Sequence, residues 1–150
     1  MRIAVKEVGK ELQIVETEQK YRSASTRKYI GVGTITEFVP LNKECTLCLG
    51  VNEDGLPLGL PTNFLLQMDN PYWPIQKMVG TVVFVRHKDV NPYEKEIWDF
   101  EVEDLRDSDL KLIEKILSDE NQDMLKKNFK DYGKGSAVIT SLTTGERMIF

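Results

Sequence analysis

The chain has 150 residues, 41% hydrophobic and 29% charged, with 24 acidic against 20 basic side chains and a net charge of −4. That balance excludes collagen-like, wholly disordered and disulfide-dense chains, and the length reads as a single domain over residues 1–150 able to bury a core. The charge is uneven, with 12 acids and 4 bases in residues 94–123, a local −8.

From the N-terminus, Ile3 and Val5 alternate with other residues, Gly9-Lys10 breaks the run, and Leu12, Ile14 and Thr17 resume it. Two short runs about a glycine turn predict a β-hairpin. Residues 21–30 are polar, and periodicity leaves a short helix and an irregular connection both open. Thr34 to Val39 is extended and ends at Pro40. Cys45 to Val51 reads as a strand with Cys45, Leu47, Leu49 and Val51 on one face. Asn52-Glu53-Asp54-Gly55 is a turn whose Asp-Gly supplies the left-handed position. Leu56 to Leu60 is expected to return as the partner strand, kept to an edge or made irregular by Pro57. Pro61 to Pro74 is expected to be a long irregular excursion. Val79 to Val85, the most apolar run, predicts a central strand buried on both faces.

After Asn91-Pro92, Ile97 to Val102 reads as a strand or extended segment. Asp107 or Ser108 then caps a helix whose Leu110, Ile113 and Leu117, with Leu112 and Ile116, recur at helical spacing. A second helix covers Asn121 to Lys130, with Met124, Leu125 and Phe129 facing inward, and stops near Gly133 and Gly135. Residues 136–140 and 146–150 flank a Thr-Gly turn. The expected fold class is α+β, a mostly antiparallel sheet with two C-terminal helices and a terminal β-hairpin.

Chemistry-bearing patterns are sparse. Cys45-Thr46-Leu47-Cys48 lacks the second ligand pair that zinc needs, and residues three apart on a strand point to opposite faces. Both cysteines are therefore read as buried and structural, with neither disulfide nor metal. The one histidine, His87, follows Val85-Arg86 and reads as a solvated strand-end residue rather than a catalytic base. Eight carboxylates fall within residues 94–109, which reads as a charged surface. Gly31-Val32-Gly33 lacks the third glycine of a dinucleotide fingerprint, and Gly133-Lys134-Gly135-Ser136 misplaces the lysine of a phosphate loop. No catalytic residue, metal site or cofactor is expected. The basic cluster of Lys126, Lys127, Lys130 and Lys134 follows an acidic stretch and reads as a solvated face, so direct nucleic-acid binding is not expected. No apolar run approaches the ~20 residues of a membrane span. Met1 to Glu7 meets charge too early for a signal peptide, and with two cysteines the expected compartment is the cytoplasm.

The order Asn52-Glu53-Asp54-Gly55, Gly59-Leu60-Pro61-Thr62-Asn63 and Gly80-Thr81-Val82-Val83-Phe84-Val85 resembles an uncharacterised family of small domains from phages, conjugative elements and Firmicute genomes. The resemblance covers residues 47–85 and carries no activity with it. Members often place a basic residue after the asparagine, where this chain has Phe64.

Binding residues concentrate on loops held by a rigid scaffold. Here that is the loop system between Asn52 and Trp73, and the candidate binding residues are Asn52, Asn63, Asn70, Tyr72 and Trp73. Their amides and aromatic rings are the groups from which recognition surfaces are built. The leading expectation is a non-enzymatic accessory protein of a mobile element that binds a protein or small ligand, with a host or element-encoded protein as the partner. The competing classes are an acidic, nucleic-acid-mimicking inhibitor using residues 94–109 and a small hydrolase or transferase. The Trp73 ring has a second reading, folded back to cap the core.

Overall fold

The computed structural model describes residues 1–31, 33–67, 74–88, 99–135, 138–140 and 147–149; from 130 onward only the course of the backbone is described. The predicted N-terminal hairpin is present. β1 (Arg2–Lys6) and β2 (Gln13–Glu16) pair antiparallel, with Ile3 opposite Val15 and Ala4 opposite Ile14. Next comes α1 (Arg22–Ile30), which settles the segment that periodicity leaves open. It faces the sheet through Ser25 and Thr26, both buried. Their hydroxyls bond back to the Arg22 carbonyl at 2.8 and 3.1 Å. Buried polar groups are thus satisfied inside the helix, and slim side chains let it lie close.

β3 (Thr36–Pro40), β4 (Leu47–Asn52), β7 (Val82–His87) and β8 (Val102–Glu103) join the hairpin in one sheet, ordered β2-β1-β7-β4-β3, with β8 also paired to β7. Every pairing is antiparallel. β5 (Thr62–Leu66) and β6 (Gln76–Val79) make a separate two-stranded sheet, so part of the segment expected to be irregular is strand. Then come α2 (Asp107–Leu117), α3 (Asp119–Gly135) and the terminal hairpin of β9 (Val138–Thr140) and β10 (Arg147–Ile149).

β7 is the predicted central strand, with all six residues buried. It starts at Val82 rather than Val79, because Gly80 turns the chain at φ +71 and assigns Val79 to β6. That left-handed φ favours glycine there, and a Cβ would also come within 2.9 Å of the end of the Leu60 side chain. The expected strand over Leu56–Leu60 does not form. β4 already has β3 on one edge and β7 on the other, so no edge remains for it. Residues 53–59 wind in consecutive turns instead, with Leu58 N–H donating to the Asp54 carbonyl and Leu60 N–H to the Gly55 carbonyl, both at 3.0 Å.

The pleat sorts the core into layers. Val83 and Val85 with Ile3, Val5, Cys48 and Val102 form the face covered by Tyr29 and Ile30 of α1. Val82 and Phe84 with Ala4, Leu47 and Leu49 form the opposite face, against Phe64, Leu66 and Met78 of the small sheet and Ile113 of α2. Outside the small sheet, Leu65 and Ile75 meet Leu125 and Phe129 of α3. There the buried Gln122 acts as a surrogate strand. Its amide accepts from Leu65 N–H and donates to the Leu65 carbonyl, each at 2.9 Å. Met124, expected to face inward, is exposed.

Among the described residues, the buried ion pair is that of Arg86 and Asp109. Arg86 of β7 meets Asp109, the third residue of α2, through two bonds of 2.7 Å, and both side chains are buried. Burial alone pushes the Asp109 carboxyl up, but the Arg86 guanidinium and the Arg106 N–H at 2.8 Å hold it below its ordinary value. Arg86 Nη1 also donates to Thr46 Oγ1 at 3.1 Å, and Asn42 Nδ2 donates to the same oxygen at 2.9 Å. Replacing Asp109 by alanine strands a buried guanidinium and is expected to cost about 3–5 kcal/mol in urea denaturation. The double variant Arg86→Met/Asp109→Leu, with no charge left to solvate, should recover most of that loss; no recovery would show that packing, not charge, sets the cost.

Candidate functional site

β4 ends in a turn of its own making. The Asn52 side-chain oxygen accepts from Asp54 N–H at 2.9 Å, and its carbonyl accepts from Gly55 N–H at 3.0 Å. Glu53 N–H donates to the Ile35 carbonyl at 2.9 Å and ties this turn to the start of β3. Gly55 is buried, and a Cβ there would lie 2.6 Å from the Val79 side chain. On this hydrogen-bonded base stand Ile35, Leu56 and Leu58, 64%, 65% and 63% exposed. Single exposed aliphatics are ordinary, but three at one end of a sheet, with Pro57 exposed between two of them, form an apolar tip. Glu53 and Asp54 are exposed beside them and pair with no cation among the described residues.

The predicted binding residues have different fates. Asn52 builds the turn under the tip. Asn63 lies on β5, and its amide is engaged inside the protein: Nδ2 donates to the Lys6 carbonyl at 2.7 Å and the Gly80 carbonyl at 2.8 Å, and Oδ1 accepts from Lys6 Nζ at 3.1 Å. Burial pushes the Lys6 ammonium below its ordinary value. Asn70, Tyr72 and Trp73 lie outside the described residues. The exposure of Leu56 and Leu58 departs from the sequence reading, because a strand over Leu56–Leu60 places Leu56, Leu58 and Leu60 together on one face, available to the core. Pro57 and Gly59 between those leucines were the available signal against a strand. Asn63→Ala removes the donor and acceptor that hold β5 to Lys6 of β1 and the donor that holds it to the Gly80 carbonyl. Denaturation should report a loss of about 1–3 kcal/mol; an unchanged midpoint would free Asn63 for recognition.

A second cluster gathers under the N-terminus of α1. The Arg22 guanidinium lies 3.8 Å from the Phe38 ring centre and 4.5 Å from that of Phe100, with Nη1 3.6 Å from Cys48 Sγ. Its Nε is buried with no partner among the described residues. Burial pushes the Cys48 thiol up to about 11, against the pull of Arg22, so it is a poor nucleophile. Cys45, expected to be buried on the strand, is exposed in the turn before it at φ +57; both thiols are free. His87 is not solvated. It is 4% exposed, its ring lies 4.5 Å from that of Phe100, and Nδ1 lies 3.0 Å from the Lys88 carbonyl. Burial lowers its pKa, the Lys88 and Cys45 carbonyls oppose the fall, and Arg22 and Arg86 add to it. Among the described residues no three metal-binding side chains come together. An open cleft of about 420 Å³ between the β1–β2 turn and the end of α2 is lined by Leu12 and Leu117 and by the charged Lys6, Lys10, Glu11 and Glu114.

The acidic run is largely absorbed by the fold where it is described. Asp99 accepts from the N–H groups of Ser23 and Phe100 at 3.3 and 2.9 Å, and so caps α1. Glu101 bridges Lys20 and Lys88 at 3.1 and 2.8 Å, and Asp104 accepts from Arg2 N–H at 2.7 Å. Asp109, read as part of a charged surface, is buried against Arg86. Glu94 and Glu96 lie outside the described residues. No described helix is long and apolar enough to cross a membrane.

Comparison of the chain with protein-family models, with curated proteins and with solved structures finds no match.

The His87 environment makes stability depend on pH. Its folded-state pKa lies below the ordinary 6.5, so the unfolded chain takes up the proton first. Stability is therefore lost as the pH falls through 6.5 toward the folded value. Urea midpoints between about pH 7 and pH 5.5 should fall for the natural chain and stay flatter for His87→Phe. Parallel slopes would assign the effect to other groups.

Proposed function

We propose that this chain is a non-enzymatic binding protein that docks a protein partner on the apolar tip of Ile35, Leu56 and Leu58, of which the two leucines belong to the loop system between Asn52 and Trp73. The observation that carries this reading is the exposure of three aliphatic side chains on a backbone held by its own hydrogen bonds. A surface presented in this way loses little freedom on binding, while the apolar area removed from water supplies the driving force. The groups best suited to catalysis support the same side. The Cys48 thiol is buried with its pKa high, and His87 has its ring against Phe100 and a carbonyl at one nitrogen. The resemblance of residues 47–85 to the mobile-element family favours an accessory role, with a host or element-encoded protein as the partner.

The test compares the natural chain with Leu56→Ser/Leu58→Ser as bait in a lysate of the organism that encodes it. Both leucines are exposed, so the melting temperature should barely change. A protein retained in stoichiometric amount by the natural chain and lost from the double variant is the expected result. Equal retention by the double variant would move the binding surface away from the tip.

A further inference from the structure

We infer that the edge of β3 turned away from β4, on which no described strand lies, is a strand-addition site for an extended segment of the partner, apolar at alternate residues and carrying lysine or arginine at the end beside Glu53 and Asp54. This rests on the tip as the docking surface and adds how the partner's backbone is held.

The parity of the sheet decides which groups face outward. Leu41 N–H donates to the Leu47 carbonyl, and Glu53 N–H donates to the Ile35 carbonyl. With Thr36 opposite Asn52 and Phe38 opposite Gly50, hydrogen-bonded pairs alternate along the ladder. The odd residues of β3 therefore bond to β4. The amide and carbonyl of Thr36 and Phe38, and the carbonyl of Pro40, point to the other edge, where no described strand pairs. Pro40 has no N–H and blunts the far end, so the pairing groups lie at the end next to the tip.

The side chains flanking this edge lean away from it. A Cβ at Gly50 would lie 2.9 Å from Thr36 Cγ2 and 3.1 Å from the Phe38 ring, so both side chains rest over Gly50, toward the sheet interior. The other outer edge, β2, differs in surroundings: Glu16 there is paired with the N-terminal ammonium at 3.1 Å. An open backbone edge selects an extended segment, since main-chain bonds supply affinity and alternate side chains supply choice. Ile35, adjacent to Thr36 and exposed, selects an apolar residue at that end, and Glu53, whose N–H bonds to the Ile35 carbonyl, selects a cation together with Asp54.

The experiment follows amide exchange and methyl shifts by NMR on the full chain. The probes are an acetylated alternating lysine–leucine peptide, its glutamate–leucine counterpart and a fully N-methylated lysine–leucine version. The lysine–leucine peptide should slow exchange at Thr36 and Phe38 by about tenfold or more and shift the methyls of Ile35, Leu56 and Leu58. The N-methylated peptide, unable to donate, should do neither, and the glutamate peptide should bind more weakly. Methyl shifts without slowed exchange at Thr36 and Phe38 would overturn strand addition and leave the tip standing. Slowed exchange that persists in Leu56→Ser/Leu58→Ser would do the reverse. Slowing at Ile14 and Glu16 instead, equal binding of the glutamate peptide, or no response to saturating lysine–leucine peptide would each overturn the inference.

Discussion

Arg86 carries its guanidinium into the middle of the protein from the central strand, and its surroundings are arranged to meet that charge. Moving an unpaired ion out of water costs several kcal/mol even after relaxation, so the site is tolerable only with a carboxylate in bidentate geometry and the remaining donors satisfied. Asp109 supplies the first condition and Thr46 the second. Asn42 holds Thr46, and its own side-chain oxygen accepts from the N–H groups of Thr46 and Leu47. One charge on β7 thereby fixes the turn between β3 and β4 and the first turn of α2. Misplacing any of the three leaves a buried polar group unmet.

The position of β4 follows from the same centre. Pinned between β7 and β3, it can accept no further strand, and the chain beyond Asn52 must leave the sheet. It leaves by winding, and the winding exposes Leu56 and Leu58 while burying Gly55 against Val79. The apolar tip is thus a consequence of sheet topology rather than of any local preference of the leucines. Asn63 then ties the returning chain to Lys6 of β1 and to Gly80, and Gly80 N–H donates to the Pro61 carbonyl, so the tip stands on a base that is fastened at both ends.

On the opposite face, α1 is held by groups rarely used for packing a helix. Its polar side chains bond to its own backbone, its N-terminus is capped by Asp99 from far along the chain, and Arg22 is stacked between two aromatic rings. The segment carrying Asp99 and Phe100 is in turn fastened by backbone bonds to Lys20, Arg22 and Lys88. Carboxylates that read as a solvated run act here as caps and bridges, which leaves less charge facing solvent than composition implies.

The sequence by itself determined the elements whose burial pattern is periodic. Alternation in Ile3 and Val5 specified the first hairpin, the apolar run specified β7, and Leu110, Ile113 and Leu117 at helical spacing specified α2, because the core covers α2 along one face and β7 on both, and each leaves its own apolar spacing. It did not determine α1, whose inward face is Ser25 and Thr26, since buried hydroxyls satisfied by their own helix leave no hydrophobic period. It did not determine the turn over 53–59, because a run of leucines reads as a strand until its neighbours' edges are known to be occupied. Tertiary structure alone decided that Asp109 is buried, that His87 lies under Phe100 and that Asn63 serves the fold rather than the surface. The physical reason is common to all three. A polar side chain takes its role from a partner far away in sequence, and only the folded chain brings that partner within hydrogen-bonding or van der Waals reach.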